Sequence, residues 1–151
     1  MLDNTTRMGE CMRANLRELQ ERHAVIGDVR GLGLFCGAEL VSDRQSKIPV
    51  EEKQVQAVIG ACMADGVIIG ATNRSLPGLN NTLCFSPALI ATAAEIDTIT
   101  SAVDRALTKV FGRRFADLVR RNKGSATPAG PLFSSVRPAD RGGRGRAPRI
   151  G

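Results

Sequence analysis

The stretch Val25 to Val41 reads VIGDVRGLGLFCGAELV, and the fold turns on how it is read. Branched and apolar residues run through it, interrupted by Gly27, Gly31, Gly33 and Gly37. Inside a helix each glycine would cost about 1 kcal/mol relative to alanine, whereas strands use glycine at bends and where backbones approach closely. The segment therefore reads as two strands, bent or hairpin-connected near Arg30 and Gly31. Gly31-Leu32-Gly33 starts like a dinucleotide fingerprint, but the third glycine is absent at the required spacing and no helical pattern follows directly. The bent-strand reading is preferred over a phosphate cradle.

Upstream, Met8, Cys11, Met12, Leu16 and Leu19 fall at helical spacing between Asn4 and His23, with Arg13, Arg17, Glu18, Glu21 and Arg22 on the opposite face. Asp3, Asn4 or Thr5 can cap this helix. Downstream, Ser42 to Pro49 is polar, ends in proline and reads as a loop. Val55, Val58, Ile59, Cys62 and Met63 make a second helix from Val50 to Asp65, with Glu51 and Glu52 in its first turn and Gly66 as its stop. Val67 to Ile69 and Thr82 to Ser86 read as short strands around a polar loop, Gly70 to Asn81. Thr92 and Glu95 form a capping box for a last helix carrying Ile96, Ile99, Val103, Ala106, Leu107 and Val110 on one face. The order α, β, β, α, β, β, α predicts an α+β fold with helices packed on a sheet.

The whole chain of 151 residues carries a net charge of +6, but unevenly. Residues 1–111 hold 11 Lys+Arg against 13 Asp+Glu, while residues 112–151 hold 10 against 2. A basic binding protein is thereby excluded as a description of the first three-quarters. Phe111 to Arg121 can prolong the last helix with a basic face. Beyond Lys123 the Gly-, Pro- and Arg-rich sequence cannot bury enough apolar surface to offset its ordering entropy, so disorder is expected. The expected division is a folded unit, 1–111, and a basic tail, 112–151.

Chemistry-bearing residues are sparse. Cys11, Cys36, Cys62 and Cys84 are widely spaced, with no CxxC pair, so a zinc site has no recognisable ligand spacing and the thiols read as core residues of a reduced, cytoplasmic protein. No apolar run approaches the roughly 18 residues of a membrane span, and the N-terminus lacks a signal-peptide layout. His23 reads as a helix-end cap or surface histidine. Asp28 and Glu39 lie in or near strands without forming an acid pair at a defensible catalytic spacing, and Arg30 reads as a structural partner for one of them. Lys47, Lys53, Lys109 and Lys123 lack the apolar setting that would prepare a lysine for Schiff-base chemistry. Arg74 is the most informative charge. It sits in a polar loop, Ala71 to Ser75, between two short strands, where a scaffold can present its planar guanidinium to a carboxylate. The alternative is an ordinary solvated loop arginine.

His23 to Glu39, HAVIGDVRGLGLFCGAE, resembles the glycine-rich strand pair that opens the small C-terminal domain of class III, ω-amino-acid:pyruvate type aminotransferases, pyridoxal-phosphate enzymes of fold type I. Asp65-Gly66-Val67-Ile68-Ile69, followed by Leu83 to Ile90 (LCFSPALI) and the helix from Thr92, is similar to that domain's ending. The resemblance covers about residues 4–110. It implies a short, mostly antiparallel sheet with helices on it, folding over a cofactor cleft in a homodimeric enzyme that exchanges an amino group between amino and keto acids. It also implies that an arginine between the Gly-Val-Ile strand and the Ser-Pro turn binds the substrate carboxylate. Arg74 is the sole arginine in that interval, although Ser75 to Asn81 make the interval longer than usual and Ala88 replaces the turn's second proline. The Schiff-base lysine, the aspartate on the pyridine nitrogen and the phosphate-binding groups belong to the family's large domain, upstream of this sequence. The resemblance therefore assigns no catalytic or cofactor-binding residue here, and implies a truncated or split enzyme that is inactive alone.

A competing reading makes the chain a binding module whose tail contacts nucleic acid. Arg141 to Arg146, RGGRGR, resembles RNA-binding Arg-Gly repeats, but there is one such repeat and no Tyr or Trp to stack on bases. Nucleic acid is not the expected partner, nor is a membrane. The abrupt charge shift after the last family-like helix is also what out-of-frame translation of a GC-rich gene would produce.

Overall fold

A computed structural model describes residues 1–73 and 77–123, with side chains through residue 112. The helical spacing near the N-terminus becomes α1 (Leu2–Arg22), which buries Met12, Leu16 and Leu19. Each such side chain contributes roughly 1.5–3 kcal/mol on leaving water. The glycine-rich stretch forms β1 (Ile26–Leu32) and β2 (Phe35–Asp43), an antiparallel hairpin. There follow β3 (Ile48–Pro49), α2 (Glu52–Ala64), β4 (Gly70–Ala71), β5 (Thr82–Phe85) and α3 (Ala93–Lys123). The sheet runs β1-β2-β5-β4 with every pairing antiparallel, and β3 folds back on the end of β2. The architecture is α+β, as the element order predicts.

One sheet face makes the core. Val29, Cys36, Ala38, Leu40, Leu83 and Phe85 point into it and meet the apolar stripes of the helices, including Val55, Val58 and Cys62 from α2 and Ile96, Val103 and Leu107 from α3. The alternate residues Arg30, Gly37, Cys84 and Gly70 stand in one row across the four strands on the other face, as successive register partners. α3 leaves helical geometry at Gly112, where φ is 41° and ψ is −153°, and the backbone then resumes a helix to Lys123.

Four local expectations change. The hairpin turns at Gly33 and Leu34 rather than at Arg30 and Gly31, because Leu32 and Phe35 are the last paired residues and Gly33 takes the left-handed conformation, φ 54°, that the two-residue turn requires. The strand expected at Val67 to Ile69 is reduced to Gly70–Ala71. Val67 alternates with Ile68 and Ile69 as an extended segment would, but its N–H donates to Cys62 O in the stop of α2. Continuing the β4·β5 register backward from Gly70 opposite Cys84 would also set Val67 against Pro87, which has no N–H to donate. The polar segment Ser42 to Pro49 is not all loop. Ser46 N donates to Asp43 Oδ2 (2.8 Å) and Lys47 adopts φ 56°, turning the chain so that Ile48 and Pro49 pair with β2. Finally, α1 begins at Leu2 and has no side-chain cap; Asn4 instead donates to Leu89 O (3.0 Å) and Ala91 O (3.1 Å), tying α1 to the approach to α3. Expected disorder beyond Lys123 concerns residues outside those described.

Both later helices start on capping boxes. Thr92 N donates to Glu95 Oε2 (2.7 Å) and Glu95 N to Thr92 Oγ1 (3.4 Å), as the sequence predicts. Glu51 and Gln54 make the equivalent pair for α2, a Glu-x-x-Gln variant that the Ser/Thr pattern does not detect.

Candidate functional site

Arg30 organises the outer sheet face. Its Nη1 donates to Asp28 Oδ2 at 2.8 Å and to Glu39 Oε2 at 3.0 Å, and its Nη2 to Thr82 Oγ1 at 3.4 Å. Asp28 and Glu39 face each other across the hairpin register, so a guanidinium between them removes a like-charge repulsion. The hydrogen bond to Asp28, then that to Glu39, holds the Arg30 pKa above its ordinary value. The sequence expectation of a structural partnership is met, and with both carboxylates.

Thr82 connects this cluster to the root of the loop that carries Arg74. Thr72 N donates to Thr82 O (2.9 Å) and Thr82 N to Thr72 Oγ1 (3.4 Å). One residue earlier, the buried Asn81 donates from Nδ2 to Leu40 O (2.7 Å) and accepts at its own carbonyl from Leu40 N (2.8 Å). Arg74 itself lies outside the described residues, together with Ser75 and Leu76. What is described is an anchored root, with the loop's last residues held to β2 and its two ends to each other. The pinning residues Asn81, Thr82 and Thr72 were not singled out by sequence, because their role depends on β2 and β5 becoming neighbours.

His23 ends α1 and does more than cap it. Its Nε2 lies 2.5 Å from Asp104 Oδ1 on α3, and Arg22 Nη1 donates to Asp104 Oδ2 at 2.7 Å. Burial opposes ionisation of Asp104, but hydrogen bonds from His23 and Arg22 outweigh it and hold the carboxyl below the usual range. This is a clasp between helices with no nucleophile beside it. The thiols are equally quiet. Desolvation pushes Cys62 up to about 11 and raises Cys36 and the half-buried Cys84, with Arg13 opposing at Cys36 and Arg30 at Cys84, so these three thiols are held away from the reactive thiolate form. All four are free. No metal-ligating cluster occurs among the described residues.

The described residues do not fit a phosphorylated pyridine cofactor. Lys47, Lys53 and Lys109 are exposed, and Lys53 Nζ sits 2.5 Å from Glu51. A groove of about 230 Å³ between α1 and α3 contains Glu18, Asp97 and Asp104 against the single cation Arg22, the wrong balance for a phosphate. No helix among the described residues is long and apolar enough to cross a membrane.

The antiparallel sheet with helices packed on it is shared with aminotransferases of known structure. A Bacillus anthracis aminotransferase superposes with a TM-score of 0.68 at 32% identity, covering 70% of this chain and 24% of that one. An amine transaminase from an uncultivated Pseudomonas species, solved in its PLP-bound form, gives 0.63 at 28% identity, covering 71% and 23%. The chain belongs to the class-III aminotransferase family, whose model matches residues 1–107, and that family is in general PLP-dependent. The chain is 72% identical over 111 residues to a hypotaurine/taurine–pyruvate aminotransferase of Paracoccus denitrificans, and 66% identical over 110 residues to a taurine–pyruvate aminotransferase of Rhodobacter capsulatus. These matches cover 74% and 73% of this chain but 24% of each relative, so the chain spans about a quarter of their length.

Proposed function

We propose that residues 1–111 act as the small domain of a class-III aminotransferase that moves an amino group from an amine or ω-amino acid to a keto acid such as pyruvate. The observation that carries this reading is the 72% identity over 111 residues to the Paracoccus enzyme, whose name specifies hypotaurine or taurine and pyruvate. In this reading the domain closes over the active site and selects substrate, while the Schiff-base lysine and the rest of the cofactor site belong to the part of the relatives that this chain does not match. The chain by itself binds no pyridoxal phosphate and does not transaminate. Arg74 holds the acid group of the substrate. A guanidinium offers two parallel N–H donors, which suit a sulfonate as well as a carboxylate. The anchored root at Thr72, Asn81 and Thr82 limits where that loop can start and end. Residues 112–151 are a separate basic tail with no nucleic-acid role, and the enzyme is a cytoplasmic homodimer.

The test is a chimera in which residues 1–111 replace the matched segment of the Paracoccus denitrificans relative. It is expected to transfer an amino group from taurine to pyruvate, while the 151-residue chain with added pyridoxal phosphate shows no turnover. Arg74→Ala in the chimera should raise KM for the acidic donor by about tenfold or more with a smaller change for an uncharged amine, as expected from losing a charge-assisted hydrogen-bond pair. An inactive but folded chimera, or turnover by the chain alone, overturns the reading.

A further inference from the structure

The loop between β4 and β5 ends on a polar side chain that the core has taken in. Asn81 is 4% exposed, and with Thr82 and Thr100 it makes up the buried polar residues among those described. The β2·β5 register runs from Cys36 opposite Phe85 to Glu39 opposite Thr82, and one step further Leu40 and Asn81 still exchange two hydrogen bonds. The first is ordinary, with Leu40 N donating to Asn81 O at 2.8 Å. The second comes from the side chain, Asn81 Nδ2 donating to Leu40 O at 2.7 Å where a strand residue would use its own N–H. At Asn81 the backbone therefore leaves the ladder while the side chain holds its place in it.

The sheet does not need that amide. Leu40 O also accepts from Val50 N at 3.3 Å, so it keeps a donor without Asn81, and any residue at position 81 can offer its carbonyl to Leu40 N. Burying an amide side chain costs free energy unless its hydrogen bonds are made, and an apolar side chain would fill the same position without that cost. What the amide adds is a fixed exit for the loop. Beside it, Thr82 O accepts from Thr72 N at 2.9 Å and Thr82 N donates to Thr72 Oγ1 at 3.4 Å, so the fixed point is passed to the loop's other end. Arg74 follows Thr72 by two residues, a span of at most about 7 Å. Resting on the reading of Arg74 above, we propose that Asn81 is a positioning residue for acid-group selection, setting through Thr82 and Thr72 where the loop that carries Arg74 leaves the sheet. A donor with a sulfonate or carboxylate depends on that placement, because a misplacement of about 1 Å is enough to weaken a two-pronged guanidinium contact, whereas an uncharged amine makes no such contact.

Asn81→Leu removes the amide and keeps the position filled, and Asn81→Ala, which cannot overpack, serves the same tests if the larger side chain does not fit. Amide hydrogen exchange in the 151-residue chain reads the placement without reference to activity. The N–H groups of Thr72 and Thr82 should exchange about tenfold faster in the variant, while those of Leu16 on α1 and Leu107 on α3 are unchanged. Unchanged protection at Thr72 and Thr82, or faster exchange throughout the chain, overturns the proposal. In the chimera, Asn81→Leu should raise KM for taurine about fivefold with a smaller change for an uncharged amine. That effect should vanish in the Arg74→Ala background, since a residue that acts through another does not add to its loss. Equal losses for both donors, or an effect that adds to that of Arg74→Ala, overturn the proposal. Arg74→Ala that leaves KM for taurine unchanged refutes the reading of Arg74 and the proposal with it, whereas a tenfold effect of Arg74→Ala beside none of Asn81→Leu refutes the proposal alone.

Discussion

Gly9 and Gly60 both lie inside helices, yet replacing each by alanine should have effects of opposite sign. Intrinsic propensity favours alanine over glycine by up to about 1 kcal/mol at a helix interior. At Gly60, on α2, a Cβ meets no atom within 4 Å and the residue is exposed, so that gain is realised. At Gly9, which is buried on α1, the same Cβ would stand 2.1 Å from Gly33 O, 2.3 Å from Gly33 C and 2.8 Å from Gly33 Cα. These are backbone atoms of a turn that is itself held at φ 54° and bonded to Arg13, so no side chain can swing aside. Relief requires α1 and the hairpin to part by roughly 1 Å, and overpacking of this kind typically costs about 1–3 kcal/mol, before any weakening of the bond from the Arg13 guanidinium, worth about 1.5–3 kcal/mol. Gly9→Ala should therefore destabilise by about 1–3 kcal/mol net, and Gly60→Ala should stabilise by about 0.5–1 kcal/mol. Urea unfolding followed by circular dichroism measures both, and the two variants should melt roughly 10 °C apart. A Gly9→Ala protein as stable as the parent would refute the close approach of α1 to the hairpin turn.

Two further outcomes follow from the ionisable groups. Asp104 is held below its ordinary pKa, so its contribution is present at pH values above the usual carboxylate range and is lost as pH falls through the depressed folded value; Asp104→Asn should lower stability at pH 7 and flatten the acid limb of the stability profile below about pH 4. An unchanged acid limb would refute the His23–Arg22–Asp104 clasp. Cys62, fully buried and raised to about 11, should be the slowest thiol to react with a disulfide reagent at pH 8 in the folded protein and should react at the ordinary rate in urea; rapid native labelling at Cys62 would contradict its place under α3.

Sequence alone determined the three helices and the hairpin, because their causes are local. Apolar spacing set the three helices, glycine density excluded a helix over Val25 to Val41, and Thr92 with Glu95 marked the start of α3. It also marked Arg30 as a partner of Asp28 or Glu39, since the three lie in neighbouring strand-like segments. Only the tertiary structure decided what depends on register and crossing. The hairpin closes at Gly33 because α1 crosses it there, with Gly9 and Arg13 against the Gly33 carbonyl. The strand after α2 is displaced to Gly70 because Val67 spends its N–H on the helix stop and would face a proline. Asn81 and Thr82 anchor the root of the Arg74 loop, and His23 finds Asp104 some 80 residues away, through neighbours that no local pattern specifies. The physical division is one of range. Propensity, capping and periodicity act within a few residues and can be read along the chain, whereas side-chain partners are set by which distant segments the core brings together.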